Sequence, residues 1–157
     1  MGAGGAARAS VVALLDEGVP EVRLCNRTQE KAQALKDAFG DRVTVVPWAE
    51  RNSAMAGVRL LVNTTTQGMH GQPALDVALD DLPAEALVSD AIYIPLETPL
   101  LAAARQRGVG ILLISADFDE ILEMSDRILV CFEGQIMGEY SGKNPPIEEI
   151  SLAMTGK

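Results

Sequence analysis

Met1-Gly2-Ala3-Gly4-Gly5-Ala6-Ala7 opens the chain, and its meaning depends on what flanks it. A G-x-G-x-x-[GA] run carries chemistry where a buried strand delivers the chain into a helix N-terminus. There the glycines let backbone N–H groups approach a phosphate, and the helix dipole favours its negative charge. A helix does follow. From Ala6 to about Glu17 the residues are helix formers, Val11, Val12, Leu14 and Leu15 give a wide apolar face, and Gly18 and Pro20 stop it. Only Met1 precedes Gly2, so the fingerprint is expected to lack its strand.

Beyond this helix the pattern alternates. Glu21–Asn26 reads as a strand, and Thr28 is placed to cap a helix that runs to Phe39, with Gly40 as its C-terminal punctuation. Val43–Pro47 is a short β-branched strand, and Trp48–Ala56 a weak helix. Val58–Thr64 and Ala86–Ile94 lack polar alternation, as expected for parallel strands covered on both faces. A polar, loop-like stretch with Gly68, Gly71 and Pro73 separates them. Thr98–Gln106 reads as a helix and Ile111–Ser115 as another apolar strand. After Asp117 the rhythm changes: a short helix (Phe118–Met124), a strand (Arg127–Phe132), a hairpin return (Gln135–Tyr140) and a closing helix (Ile147–Met154). The expected fold is α/β: a three-layer, open, mostly parallel sheet with helices on both faces and a C-terminal β-hairpin, in a single domain over residues 1–157.

Composition narrows the function classes. A formal net charge of −9, from 13 basic and 22 acidic residues, argues against nucleic acid or an anionic membrane as partner, since both need a cationic footprint. No apolar stretch reaches the ~20 residues that span a bilayer, and no secretory signal is visible. The expectation is a soluble, cytoplasmic protein. Cys25 and Cys131 each sit in an apolar run and read as buried free thiols. No metal site is expected, because the single histidine, His70, has no partner at ligand spacing. A lone loop histidine of this kind is more often solvated than catalytic.

Two further segments carry candidate chemistry. Asn26-Arg27-Thr28 closes the strand beside the glycine turn, where an acidic residue would bind a ribose 2′-OH. An arginine there instead pairs with a 2′-phosphate, and Lys31, one turn on, can add a second cation. A solvated Arg and Lys beside a helix N-cap is the equal alternative. Asn63-Thr64-Thr65-Thr66 ends another strand, where α/β sheets place ligand contacts, although such side chains also serve simply to satisfy loop backbone groups.

Taken together, Gly2–Ala7, Asn26-Arg27-Thr28-x-x-Lys31-Ala32, Asn63-Thr64-Thr65-x-x-Gly68-Met69 and Tyr93-x-Pro95-Leu96-x-Thr98-Pro99-Leu100 resemble, in order and spacing, the C-terminal NADP-binding Rossmann domain of shikimate dehydrogenase over about residues 2–108. The resemblance implies Gly4, Gly5 and Ala6 at the pyrophosphate, Arg27, Thr28 and Lys31 at the 2′-phosphate, Asn63 and Thr64 near the ribose, and Tyr93 near the nicotinamide and substrate, with Gly2 and Asn26 also among the cofactor-binding residues. That family's catalytic Lys and Asp, its first Rossmann strand and its later Gly-rich stretch are missing from the pattern. Residues 109–156 instead resemble the end of an ABC transporter ATPase subunit, through Gly110–Leu122, Ser125-Asp126-Arg127-Ile128 and Glu133-Gly134-Gln135-Ile136, without Walker or signature motifs.

These two resemblances lead to the expectation of an engineered chimera joined near Gly108. It would have no catalytic activity and thus be no enzyme, with at most weak residual NADP(H) binding. The alternative is an NADP-dependent oxidoreductase fragment that needs a substrate domain. An interaction surface around Ile136, Met137 and Tyr140 is a third reading. The absent strand poses a physical problem, since each buried, unpaired backbone group costs about 1–3 kcal/mol. Ile111–Ser115, Arg127–Phe132 or a strand exchanged between two copies could fill its place, and the apolar Ile128–Phe132 run is the favoured occupant.

Overall fold

The apolar runs without polar alternation do become parallel strands. The computed structural model describes residues 1–157 and divides them into two compact units, Met1–Leu112 and Leu113–Lys157. The first contains α1 (Gly5–Asp16), β1 (Val22–Cys25), α2 (Gln29–Phe39), β2 (Val43–Val46), β3 (Leu60–Asn63), β4 (Leu87–Asp90), α3 (Pro99–Gln106) and β5 (Gly110–Ile111). β1 pairs in parallel with β2, Val22 opposite Val43 and Cys25 opposite Val46. β4 lies between β3 and β5, also in parallel, with Leu60 opposite Leu87 and Val88 opposite Ile111. The expected helix at Trp48–Ala56 is instead two single 3₁₀ turns, Trp48–Glu50 and Ser53–Met55.

Two apolar clusters hold this unit. Ala7, Val11 and Leu15 of α1 pack with Leu24, Ala32, Leu35 and Val43, so the helical period of α1 and the pleat of β1 bury one surface between them. Leu61 and Val88 pack with Leu100, Leu101 and Ala104 of α3. The segment between β3 and β4 has no helix or strand, yet Leu75, Leu79 and Leu82 anchor it in the same cluster. Each such burial contributes roughly 1.5–3 kcal/mol. α3 begins as its sequence dictates: Thr98 Oγ1 accepts from Leu101 N–H, and Pro99 takes the first helical position, where a missing donor is harmless.

The second unit is built on an antiparallel hairpin, β6 (Arg127–Phe132) with β7 (Gln135–Ser141), flanked by α4 (Phe118–Met124) and α5 (Ile147–Ala153). Its turn residues Glu133 and Gly134 both have positive φ, 47° and 79°, as a type I′ hairpin turn requires. Ile128 and Val130 face Ile150 and Ala153, while Leu129 and Cys131 alternate outward.

The protein is therefore α/β, with parallel sheets and a C-terminal antiparallel hairpin. Three expectations are corrected. β6 forms a two-stranded sheet of its own with β7, so the apolar Ile128–Phe132 run does not fill the place beside β1 and β3. Of Ile111–Ser115 only Ile111 enters a ladder, at the edge beside β4. Cys131 is exposed, because the hairpin buries one face only; Cys25 is buried, and neither thiol is in a disulfide. No helix is long and apolar enough to cross a membrane.

Candidate functional site

The C-terminal ends of β1, β3 and β4 lie along one edge of the first unit, and hydrogen bonds link them in series. Gly2 N–H donates to Cys25 O at 2.9 Å, tying the glycine turn to the end of β1. The Met1 carbonyl accepts from Thr64 N–H at 2.9 Å and Thr64 Oγ1 at 2.7 Å, tying the same turn to the end of β3. Asn63 Nδ2 donates to Asp90 Oδ1 at 2.9 Å, which joins β3 to β4, and Thr98 Oγ1 donates to Asp90 Oδ2 at 2.8 Å, which joins β4 to α3.

Gly2 sits at φ +101°, and a Cβ there would stand 2.6 Å from Thr64 Oγ1, so both conformation and space demand glycine. Gly4 and Gly5 face open space. Gly4 is the N-cap of α1 and brings no side-chain cap; the first turn holds no acidic residue. The opening N–H groups of a 12-residue helix, those of Gly5, Ala6 and Ala7, are thus presented without a partner in the chain. This is the arrangement that accepts a phosphate.

Asn26, Arg27 and Thr28 follow β1 directly. Asn26 Nδ2 donates to Thr28 O at 2.8 Å and shapes the turn into α2. Thr28 holds the N-cap position of α2, but its hydroxyl makes no capping bond and is exposed. Arg27 and Lys31 are exposed, and neither enters an ion pair. Two free cations therefore stand on the α2 side of the glycine turn.

Asn63 is fully buried, with its side chain engaged on all sides. Besides Asp90, it donates to Gln67 O at 3.3 Å and accepts from Thr65 N–H and Thr65 Oγ1 at 3.0 and 2.8 Å. It shapes the loop after β3. Thr64 is half-buried against Met1. Tyr93 is 80% exposed in the loop after β4, with Ile94 and Leu96 exposed beside it. His70 is exposed; its backbone N–H donates to Ile94 O, which ties the two loops together.

Asp90 is the participant that sequence reading passed over. Burial pushes its carboxyl above the usual carboxylate range, opposed by the hydrogen bonds from Thr98, Ile92 N–H and Asn63. The available signal was an acidic residue at the carboxyl end of an otherwise apolar strand. Nearby, Gln67 Oε1 is buried without a partner.

The Shikimate / quinate 5-dehydrogenase family matches residues 1–70. The chain is 54% identical over 109 residues to the shikimate dehydrogenase (NADP(+)) of Rhodopseudomonas palustris strain TIE-1, covering 69% of this chain and 39% of that protein. It is 52% identical over 122 residues to the corresponding protein of Dinoroseobacter shibae, covering 74% of this chain and 44% of the relative. Among solved structures, the shikimate 5-dehydrogenase of Thermus thermophilus in complex with NADP(H) and shikimate superposes with a TM-score of 0.60 at 36% identity. That match covers 71% of this chain and 40% of the other.

These matches overturn the reading of the chain as an engineered, non-catalytic chimera that is no enzyme, since the matching proteins are dehydrogenases that the chain resembles at more than half of the aligned positions. The Dinoroseobacter match covers 74% of this chain, and a join near Gly108 has no support in these comparisons. The ABC transporter parentage of residues 109–156 has no support in these comparisons. Over 69% of its length the chain is homologous to shikimate dehydrogenase, and it spans about 39% of the length of such relatives.

Proposed function

We propose that this chain is the cofactor-binding part of an NADP-dependent oxidoreductase of the shikimate dehydrogenase type. The observation that carries the reading is the pairing of an uncapped, glycine-lined helix start with two unpaired cations at the end of the neighbouring strand. Backbone N–H groups of Gly4, Gly5 and Ala6 would take the pyrophosphate, with Gly2 closing the turn. Arg27 and Lys31 would pair with the 2′-phosphate, and the free Thr28 hydroxyl would donate to it. Asn26 would hold that turn in shape. Thr64 lies on the path to the ribose, and Asn63 would act through the loop it organises. When bound, NADP(H) supplies or accepts a hydride.

Tyr93, Ile94 and Leu96, exposed beside the nicotinamide end, offer an apolar face to the substrate-binding part of such an enzyme. That part would lie in the portion of the relatives that this chain does not match. In this reading the two parallel sheets of the first unit are halves of one open three-layer sheet, with helices on both faces, and residues 1–108 form the dinucleotide-binding segment. Two free thiols suit a reducing cytoplasm.

Calorimetric titration with NADP and with NAD tests the proposal. NADP should bind at least tenfold more tightly, about 1.4 kcal/mol, and Arg27→Ala should erase the preference while leaving NAD affinity unchanged. Equal affinities in the parent chain would refute the assignment of Arg27.

A further inference from the structure

Asp90, the last residue of β4, meets three groups, and the other bonds of each make it a donor. Ile92 presents its backbone N–H to Asp90 Oδ1 at 3.2 Å. Asn63 presents Nδ2 to the same oxygen at 2.9 Å, and its amide cannot be turned over, because Asn63 Oδ1 accepts from Thr65 N–H. Thr98 Oγ1 accepts from Leu101 N–H, which leaves its own hydrogen for Asp90 Oδ2 at 2.8 Å. Both oxygens at position 90 must therefore accept. A carboxylate does so, whereas an asparagine amide would set an N–H against one of the donors. Asn63 is 0% and Thr98 1% exposed, so solvent does not reach either side chain to take up a lost bond.

Two loops stand on this carboxylate. The first leaves Ile92, held on Oδ1, carries Tyr93 to Glu97, and returns at Thr98, held on Oδ2, so both its feet rest on a single side chain. The loop after β3 is rooted through Asn63, which bonds Asp90, Thr65 and the Gln67 carbonyl. Further out the two loops touch. His70 N–H donates to Ile94 O at 3.1 Å, and Gly68, at φ +103°, lies where a side chain would meet Ile92 and Thr98 at 3.5 and 3.7 Å. The Tyr93 loop has no helix or strand of its own, so these bonds are what fix the exposed Tyr93, Ile94 and Leu96 in place.

We propose that Asp90 is a positioning residue: its carboxylate holds the Tyr93 loop at both ends and thereby fixes Tyr93 where it meets the nicotinamide of the cofactor. This inference rests on the cofactor reading above. Asp90 acts through Ile92 and Thr98 and does not itself touch the cofactor. None of its bonds reaches Arg27 or Lys31, where the adenosine half would lie. A change at position 90 is therefore felt at the nicotinamide end alone.

The test uses the intact chain with Asp90→Asn, Thr98→Val and Thr98→Ser. Backbone order parameters report the loop without any ligand. Tyr93, Ile94, Leu96 and Glu97 should lie near about 0.85 in the parent and fall below about 0.6 in Asp90→Asn and Thr98→Val. Thr98→Ser keeps the hydroxyl and should keep the parent values. The double variant should be no looser than either single one, since both break the same bond. Emission of bound NADPH comes from its dihydronicotinamide, and the gain on binding should fall by at least half in the two loosened variants. Affinity for adenosine 2′,5′-bisphosphate, which has no nicotinamide, should stay as in the parent. Unchanged order parameters in Asp90→Asn and Thr98→Val would overturn the proposal. So would an equal loss of affinity for NADPH and adenosine 2′,5′-bisphosphate, which would make Asp90 a support of the fold only. A parent chain that binds neither ligand would refute the cofactor reading, and the nicotinamide role with it. Binding in the parent that the variants match in every respect would refute the role of Asp90 alone.

Discussion

Met1 and Thr64 are joined twice: the Met1 carbonyl accepts both the backbone N–H and the hydroxyl of Thr64, at 2.9 and 2.7 Å. Through this pair the glycine turn is held against the end of β3 rather than by its own helix. The pair fixes where a phosphate would meet the α1 N-terminus. Thr64→Val keeps the shape and removes the hydroxyl bond. Chemical denaturation should show a loss of about 1 kcal/mol, with a parallel weakening of NADP(H) binding.

Gly2→Ala should be more damaging. Its Cβ would enter at φ +101° against Thr64 Oγ1 and the Thr64 backbone. Backbone strain of this kind costs on the order of 1–3 kcal/mol, and the turn that presents Gly4 and Gly5 would shift. By contrast, Gly4→Ala meets no atom within 4 Å. It should leave the urea midpoint nearly unchanged while reducing cofactor affinity, because its methyl occupies space the phosphate needs. Comparing the two variants separates folding from binding.

Asp90 sets a pH dependence. Its folded-state pKa is raised by burial, so the part of its stability linked to protonation is fully present below the unfolded carboxylate pKa and is lost as pH rises through the folded value, while the hydrogen bonds it accepts persist in the ionised form. Asp90→Ala removes the acceptor for Asn63, Thr98 and Ile92 N–H. Near neutral pH it should lower stability by about 1–3 kcal/mol and loosen α3 at its N-terminus. Amide exchange at Leu101 reports this directly; unchanged protection there would contradict the link through Thr98.

The thiols should part company. Cys25 is buried and its pKa is raised by that burial, while Cys131 is exposed on the hairpin. A thiol reagent should modify Cys131 first, and Cys25 only on unfolding. Cys131→Ser should leave a single slow phase.

Much of the first unit was legible because its physics is local. Leu60-Leu61-Val62 and Ala86–Ile94 lack polar alternation and become β3 and β4. Thr98-Pro99 is a helix start on any reading. The glycine turn and Arg27 stood out because the proposed phosphate site would need those residue types at that spacing. The fate of Ile128–Phe132 was not legible. Its apolar run suits a central strand, but a two-residue turn at Glu133-Gly134 offers a partner at once, and closing so short a loop is far less demanding than a long-range pairing. Asp90 escaped notice because its role arises only when three strand and helix ends converge.

In the function we propose, NADP(H) lies along the carboxyl edge of β1, β3 and β4. Backbone amide spectra recorded during NADPH titration test it most directly. The predicted result is saturable perturbation of Gly2, Gly4, Gly5, Ala6, Arg27, Thr28 and Thr64, with the β6–β7 amides unmoved. Perturbations centred elsewhere, or none at millimolar NADPH in a folded sample, would contradict it.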